Sequence, residues 1–247
     1  MKILSIGNSF SEDAQRWLHS IAVSEGDEID TYNLYIGGCS LERHWNCITN
    51  NLCDYDILKN GTERLGRTSV ADALLGDKFD VITLQQASGF SGRPQTYIPF
   101  LTDIAGFVAE HQPDAQIYFH ETWSYEIDST HEHFAFYNND QWEMYRRIKD
   151  ASAMAARLIG VPLIPVGDVI QSIRSNVKEF AYQNDGYSLC RDGYHLSYLY
   201  GRFAAAAVWY KVFTGKNADH KKFAAQNSDF DTDLLKVLLE HLCQLDM

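Results

Sequence analysis

Short apolar runs rich in β-branched and aromatic residues alternate with helical patterns along this chain, and that alternation constrains its fold more than any other feature. The strand candidates are residues 2–6, 29–35, 79–84, 116–120 and 162–166. Between and after them, residues 12–24, 69–75, 97–112, 141–159, 198–214 and 231–245 carry apolar side chains at helical spacing, as Trp17, Leu18, Ile21 and Ala22 do in the first. Strands alternating with helices predict right-handed βαβ units and a parallel sheet covered on both faces. The expected fold is α/β: a flavodoxin-like three-layer α/β/α sandwich with a five-stranded parallel sheet in the order 2-1-3-4-5. No repeat, low-complexity tract or linker interrupts the pattern, so residues 1–247 read as a single domain.

The formal net charge of −12 disfavours a nucleic-acid partner, because phosphate binding needs clustered Lys and Arg. Arg146-Arg147 and Lys221-Lys222 are the only adjacent basic pairs, and each reads as part of a solvated helix face. No apolar run approaches the ~18 residues that span a bilayer. The chain passes from Lys2 straight into a strand pattern, with no signal-peptide core, so no membrane partner and a cytoplasmic location are expected. The five cysteines (39, 47, 53, 190 and 243) show no CxxC spacing, which argues against a zinc or disulfide framework. Neither a metal nor a cofactor is expected.

In open α/β sheets, ligands sit at the carboxyl ends of the strands. The segments leaving the strand candidates are residues 7–11, 36–40, 85–96, 121–140 and 167. The first holds Gly7-Asn8-Ser9. A serine at this turn can present its oxygen as a nucleophile, but Ser9-x-x-Glu12 is also a capping box for the next helix, with Ser11 a competing cap. Near the other end comes Asp192-Gly-Tyr-His195, just before a helical pattern. A carboxylate three residues before an imidazole can hold its Nδ1 and fix its tautomer; the plainer reading is a turn cap beside a surface histidine. Serine, histidine and aspartate are together the side chains that nucleophilic acyl transfer needs.

With these segments the chain resembles the SGNH (GDSL-type) hydrolase family. Gly7-Asn8-Ser9 is similar to the first sequence block, with Asn8 where the family usually has Asp. Asn33-Leu-Tyr-Ile-Gly37-Gly38 resembles the second, and Gly38 aligns with its oxyanion-hole glycine. Asp192-Gly-Tyr-His195 with the trailing Gly201 resembles the fourth. The resemblance implies Ser9 as nucleophile, His195 as general base and Asp192 as the group orienting it. Backbone N–H groups of Ser9 and Gly38 would then form the oxyanion hole. The third block departs: the family's oxyanion Asn is missing from Leu84-Gln85-Gln86-Ala-Ser88-Gly89. A glutamine amide has the same donor chemistry on a longer arm, so Gln86, or else Gln85, is expected to substitute. Strand alternation points the two to opposite sides.

Residues 121–142 form an aromatic-rich segment that should overhang the catalytic end. Trp123 and Tyr125 are candidate substrate contacts, as is Arg93 after the third strand; a loop packed on its own domain is the alternative. His131-x-His133 lacks a spacing diagnostic of metal. The expectation is a serine hydrolase acting on a small-molecule or glycan ester, with an O-acetyl group on a carbohydrate as preferred substrate. The Asn8 and Gln85-Gln86 departures motivate a second reading, a carbohydrate-binding protein on the same fold with impaired catalysis. A flavin-binding relative is disfavoured, because Phe10 and Glu12 stand where a phosphate cradle wants small residues.

Overall fold

A computed structural model describes residues 1–245. Seven strands form one sheet: β1 (Lys2–Gly7), β2 (Asp30–Tyr35), β3 (Tyr55–Lys59), β4 (Glu63–Thr68), β5 (Val81–Leu84), β6 (Gln116–His120) and β7 (Leu163–Ile164). Their order is β4-β3-β2-β1-β5-β6-β7. The run β2-β1-β5-β6-β7 is parallel, whereas β3 joins β2 and β4 joins β3 antiparallel. The expectation of five strands, all parallel, is therefore corrected. The chain leaves the βαβ pattern once, in a hairpin turned at Asn60-Gly61, both with positive φ (49° and 72°), and that hairpin extends the sheet beyond β2.

The helices are α1 (Ser9–Gln15), α2 (Leu18–Glu25), α3 (Leu41–Thr49), α4 (Val70–Gly76), α5 (Phe100–His111), α6 (Gln141–Ile159), α7 (Val166–Asn176), α8 (Tyr200–Thr214), α9 (His220–Gln226) and α10 (Thr232–Cys243). Side chains alternate across β1 because strand residues point to opposite faces. Ile3 enters a core with Phe10, Ala14, Ile21, Ile170 and the Phe203–Tyr210 stretch, from α1, α2, α7 and α8. Leu4 and Ile6 enter a second core with Leu41, Leu74, Leu101, Ile104 and Ala155, from α3, α4, α5 and α6. The alanines at 204–207 in α8 are buried, and their small side chains let this helix lie close on α1 and α2. Among the described residues no helix is long and apolar enough to cross a membrane.

Candidate active site

The turn after β1 is set by small and polar residues. A Cβ on Gly7 would lie 2.0 Å from Ser11 Oγ, so only glycine lets Ser11 fold back over the strand end. Asn8, not Ser9, caps α1. Its Oδ1 accepts the Phe10 N–H at 2.9 Å, and Ser11 Oγ accepts the Asn8 N–H at 3.0 Å, closing a reciprocal box. Ser9 thus starts the helix with its hydroxyl free of capping duty.

That hydroxyl meets His195. Ser9 Oγ lies 2.8 Å from His195 Nε2, and His195 Nδ1 lies 2.7 Å from Asp192 Oδ2. A proton on Nδ1, donated to the carboxylate, leaves the Nε2 lone pair to accept from the serine. Asp192 Oδ1 also accepts the N–H of Tyr194 (3.2 Å) and of His195 (2.8 Å). Partial burial pushes the Asp192 carboxyl up, but these hydrogen bonds from His195 and Tyr194 outweigh it and hold the group below its ordinary value. The two residues sit on a tight loop closed by a Cys190–Leu196 bridge and an Arg191 N–H to His195 O bond of 2.9 Å.

The loop is tied to the nucleophile's own helix. Asp13, fully buried in α1, pairs with Arg191 (3.0 Å) and Arg202 (2.7 Å) and accepts the Leu196 N–H at 2.8 Å. Arg191 Nη1 also donates to Leu196 O. Behind the site, Trp123 stacks on Phe10 with ring centroids 4.2 Å apart and donates its indole N–H to Tyr194 O at 2.7 Å.

Ser9 and His195 open into a cavity of about 310 Å³, lined also by Glu12, Tyr35, Gly38, Ser88, His131, Arg191 and Tyr194. Gly38 has φ +62°, a left-handed conformation that favours glycine, and the Cys39 N–H to Ile36 O bond (3.2 Å) closes its turn. His131 Nδ1 accepts the His133 N–H at 3.1 Å, so the neutral ring carries its proton on Nε2. Burial, and then the neighbouring His133, push the His131 pKa down and favour that neutral form. Glu12 is shifted up by burial and by the charge of Asp13.

The family described as a domain of unknown function, DUF4886, matches residues 2–234. The chain belongs to the DUF4886 family. A crystal structure of a DUF4886 family protein from Bacteroides uniformis is 34% identical, with 100% of this chain and 99% of that one covered and a TM-score of 0.82. A protein assigned to the SGNH hydrolases from Slackia heliotrinireducens is 23% identical over 86% of this chain and 98% of that one, with a TM-score of 0.58. A lipase/acylhydrolase from Enterococcus faecalis shares 10% identity over 88% and 98%, with a TM-score of 0.53. These likenesses show the SGNH hydrolase fold. Among curated proteins, none matches the chain.

In this DUF4886 chain several expected site residues lie elsewhere. Both ends of the Gln86 amide are engaged: Oε1 accepts the N–H of Leu41 (3.0 Å) and Ala87 (2.8 Å), and Nε2 donates to Thr96 O (3.0 Å). Gln86 therefore anchors α3 and the loop after β5, and its expected place in the oxyanion hole is corrected. Gln85 is engaged too. His120 Nδ1 donates to Gln85 Oε1 (2.7 Å), Gln85 Nε2 to Asn8 Oδ1 (2.8 Å), and Asn8 Nδ2 to Cys39 O (3.0 Å). Burial lowers the His120 pKa to about 3, so its ring enters this chain neutral.

Trp123 and Tyr125 have no exposed surface, because they turn with Phe134 and Tyr137 into the core that holds Phe10 and Met144, leaving Phe136 outside it. Neither is a direct substrate platform. Arg93 stacks over Phe136 at 4.4 Å and lines a different cavity, of about 570 Å³, with Gln95 and Arg147. Ser88, Tyr35, Arg191 and Tyr194 line the site without having been singled out in the sequence. Of these, Ser88 had a signal: it follows Gln85-Gln86 by two residues in a segment leaving a strand.

Proposed function

We propose that this protein is a serine hydrolase that cleaves a small ester through an acyl-enzyme on Ser9. The observation that carries this reading is the pair of distances joining Ser9 Oγ to His195 Nε2 and His195 Nδ1 to Asp192 Oδ2, 2.8 and 2.7 Å. His195 takes the hydroxyl proton as Ser9 Oγ bonds to the acyl carbon, and Asp192 stabilises the imidazolium. The backbone N–H groups of Ser9 and Gly38 face the charge that develops on the carbonyl oxygen. Collapse returns the proton to the departing alcohol. Water, activated by His195 in turn, then releases the acid and restores Ser9.

The substrate we favour is an O-acetyl ester of a carbohydrate. A cavity of about 310 Å³ suits a small acyl group, and Glu12, Tyr35, Arg191 and Tyr194 offer hydrogen-bonding and aromatic contacts to a polyhydroxylated alcohol half. Support for the sugar comes from these rim residues, since Trp123 and Tyr125 are buried.

A fluorophosphonate probe tests the reading. Wild-type protein should label and hydrolyse p-nitrophenyl acetate, and Ser9→Ala should do neither. Asp192→Asn should keep the fold and lower kcat by up to ~10⁴-fold, because the imidazole then prefers the wrong tautomer. Wild-type protein that neither labels nor turns over ester faster than Ser9→Ala would refute the proposal.

A further inference from the structure

We propose that the Ser88 hydroxyl is a catalytic oxyanion donor of this site and that Tyr125 positions its proton. The proposal rests on the Ser9 hydrolase reading and supplies what the two backbone N–H groups leave open, a side-chain donor from the loop after β5. Neither glutamine of that loop lines the cavity: Gln85 is held by Asn8 and His120, and Gln86 spends both ends of its amide on α3 and Thr96. Ser88 lines the same cavity as Ser9, Gly38 and His195.

Its hydroxyl also has a defined neighbour. Ser88 Oγ lies 2.9 Å from the Tyr125 hydroxyl, and Tyr125 is fully buried. A phenol is the more acidic of two hydroxyls and a poorer acceptor than an aliphatic alcohol, and a buried phenol proton needs an acceptor. Tyr125 therefore donates to Ser88 Oγ, which turns the Ser88 proton away from Tyr125 and toward the cavity. The polarised alcohol becomes a stronger donor, as hydrogen bonds in a chain reinforce one another. Tyr125 is locked by its own surroundings, since its ring packs on Phe134 and Tyr194 with centroids 5.7 Å away in each case.

Ser88 gives up no proton in this step; the only proton that moves is the Ser9 hydroxyl proton, which goes to His195. As Ser9 Oγ bonds to the acyl carbon, the carbonyl π pair moves to oxygen, and the Ser88 O–H hydrogen-bonds to that oxyanion. When the intermediate collapses, the C=O bond re-forms and Ser88 keeps its proton. Tyr125, fully buried in the described structure, acts only through Ser88.

The test compares wild type, Ser9→Ala, Ser88→Ala, Ser88→Cys, Ser88→Thr and Tyr125→Phe for p-nitrophenyl acetate turnover and for inhibition by a trifluoromethyl ketone, which mimics the tetrahedral state. Loss of one such donor lowers kcat by ~10²-fold with KM little changed, so Ser88→Ala should do this and weaken the ketone in proportion. Ser88→Cys keeps the volume but offers only a weak S–H donor, and should fall likewise. Ser88→Thr keeps the hydroxyl and should recover most of the activity. Tyr125→Phe should lower kcat and ketone affinity by a smaller factor, again without raising KM. A purely packing role for Ser88 would leave ketone affinity and KM moving together and would spare Ser88→Cys. Ser9-dependent turnover that stays within about twofold of wild type in Ser88→Ala and Ser88→Cys overturns this assignment alone. Absence of Ser9-dependent turnover in wild type overturns it together with the hydrolase reading.

Discussion

Between the buried ring of His120 and the turn that carries Gly38, side-chain amides pass hydrogen bonds in one direction, from His120 to Gln85 to Asn8 to Cys39 O. Asn8 has to donate at one end and accept at the other. A carboxylate at position 8 could accept from Gln85 and Phe10 but would face the Cys39 carbonyl oxygen with nothing to donate. The two departures from the SGNH pattern, Asn8 and Gln85, are thus one arrangement, in which the longer glutamine reaches the asparagine. We expect Asn8→Asp to cost ~1–3 kcal/mol, the penalty of a buried group left unsatisfied, read as a lower urea midpoint at neutral pH. Gln85→Ala should cost a similar amount for the same reason. An Asn8→Asp protein as stable as wild type would contradict this account.

At the scale of elements, Asp13 joins the helix that starts with Ser9 to the loop that carries His195. Its carboxylate holds Arg191, Arg202 and the Leu196 N–H at once, with no exposed surface of its own. Removing one partner of a buried ion pair costs ~3–5 kcal/mol, so Asp13→Ala should show a large loss in urea unfolding. The conservative Asp13→Asn should lower kcat more than it raises KM, as the His195 loop loosens on α1. None of this was legible in the sequence, where Asp13 lies 178 positions from Arg191. The helical patterns were legible, since their apolar stripes follow from spacing alone, although the expected helix over 12–24 divides into α1 and α2 around Arg16 and Trp17. The β3–β4 hairpin carries a strong turn signal in Asn60-Gly61, but its second strand has no apolar pattern of its own. Residues 63–67 of β4 are exposed, so no apolar alternation marks the strand; backbone pairing with β3 makes it one.

For the whole molecule, the buried acid Glu121 couples stability to pH. It lies at the end of β6, where its Oε1 accepts the Asp168 N–H at the start of α7 (2.6 Å) and its Oε2 has no partner among the described residues. Burial, and then the charge of Asp168, raise its carboxyl from 4.5 to about 8. Between those values the folded protein keeps a proton that the unfolded chain has released. Stability should therefore fall as pH rises from about 4.5 to 8, by up to ~1.4 kcal/mol per pH unit, and level off above. Glu121→Gln, which mimics the protonated acid, should flatten that decline in thermal melts taken across the window. A wild-type decline that persists in Glu121→Gln would assign it to other groups.

What the sequence determined by itself was the α/β class, the strand ends where Ser9 and Gly38 fall, and the turn before the helical pattern over 198–214 that carries Asp192 and His195, because periodicity and turn chemistry are local properties. The aromatic loop shows what it could not determine. Trp123 and Tyr125 are spaced like surface contacts, yet only the packing of Phe10, Met144 and Phe134 decides that they turn inward. Likewise, both glutamines after β5 have the right donor chemistry, and only the neighbours brought to them from positions 8, 41, 96 and 120 decide that they are held away from the Ser9 cavity. Side-chain partners separated by tens of residues are set by the way the layers close on one sheet, which no local pattern encodes.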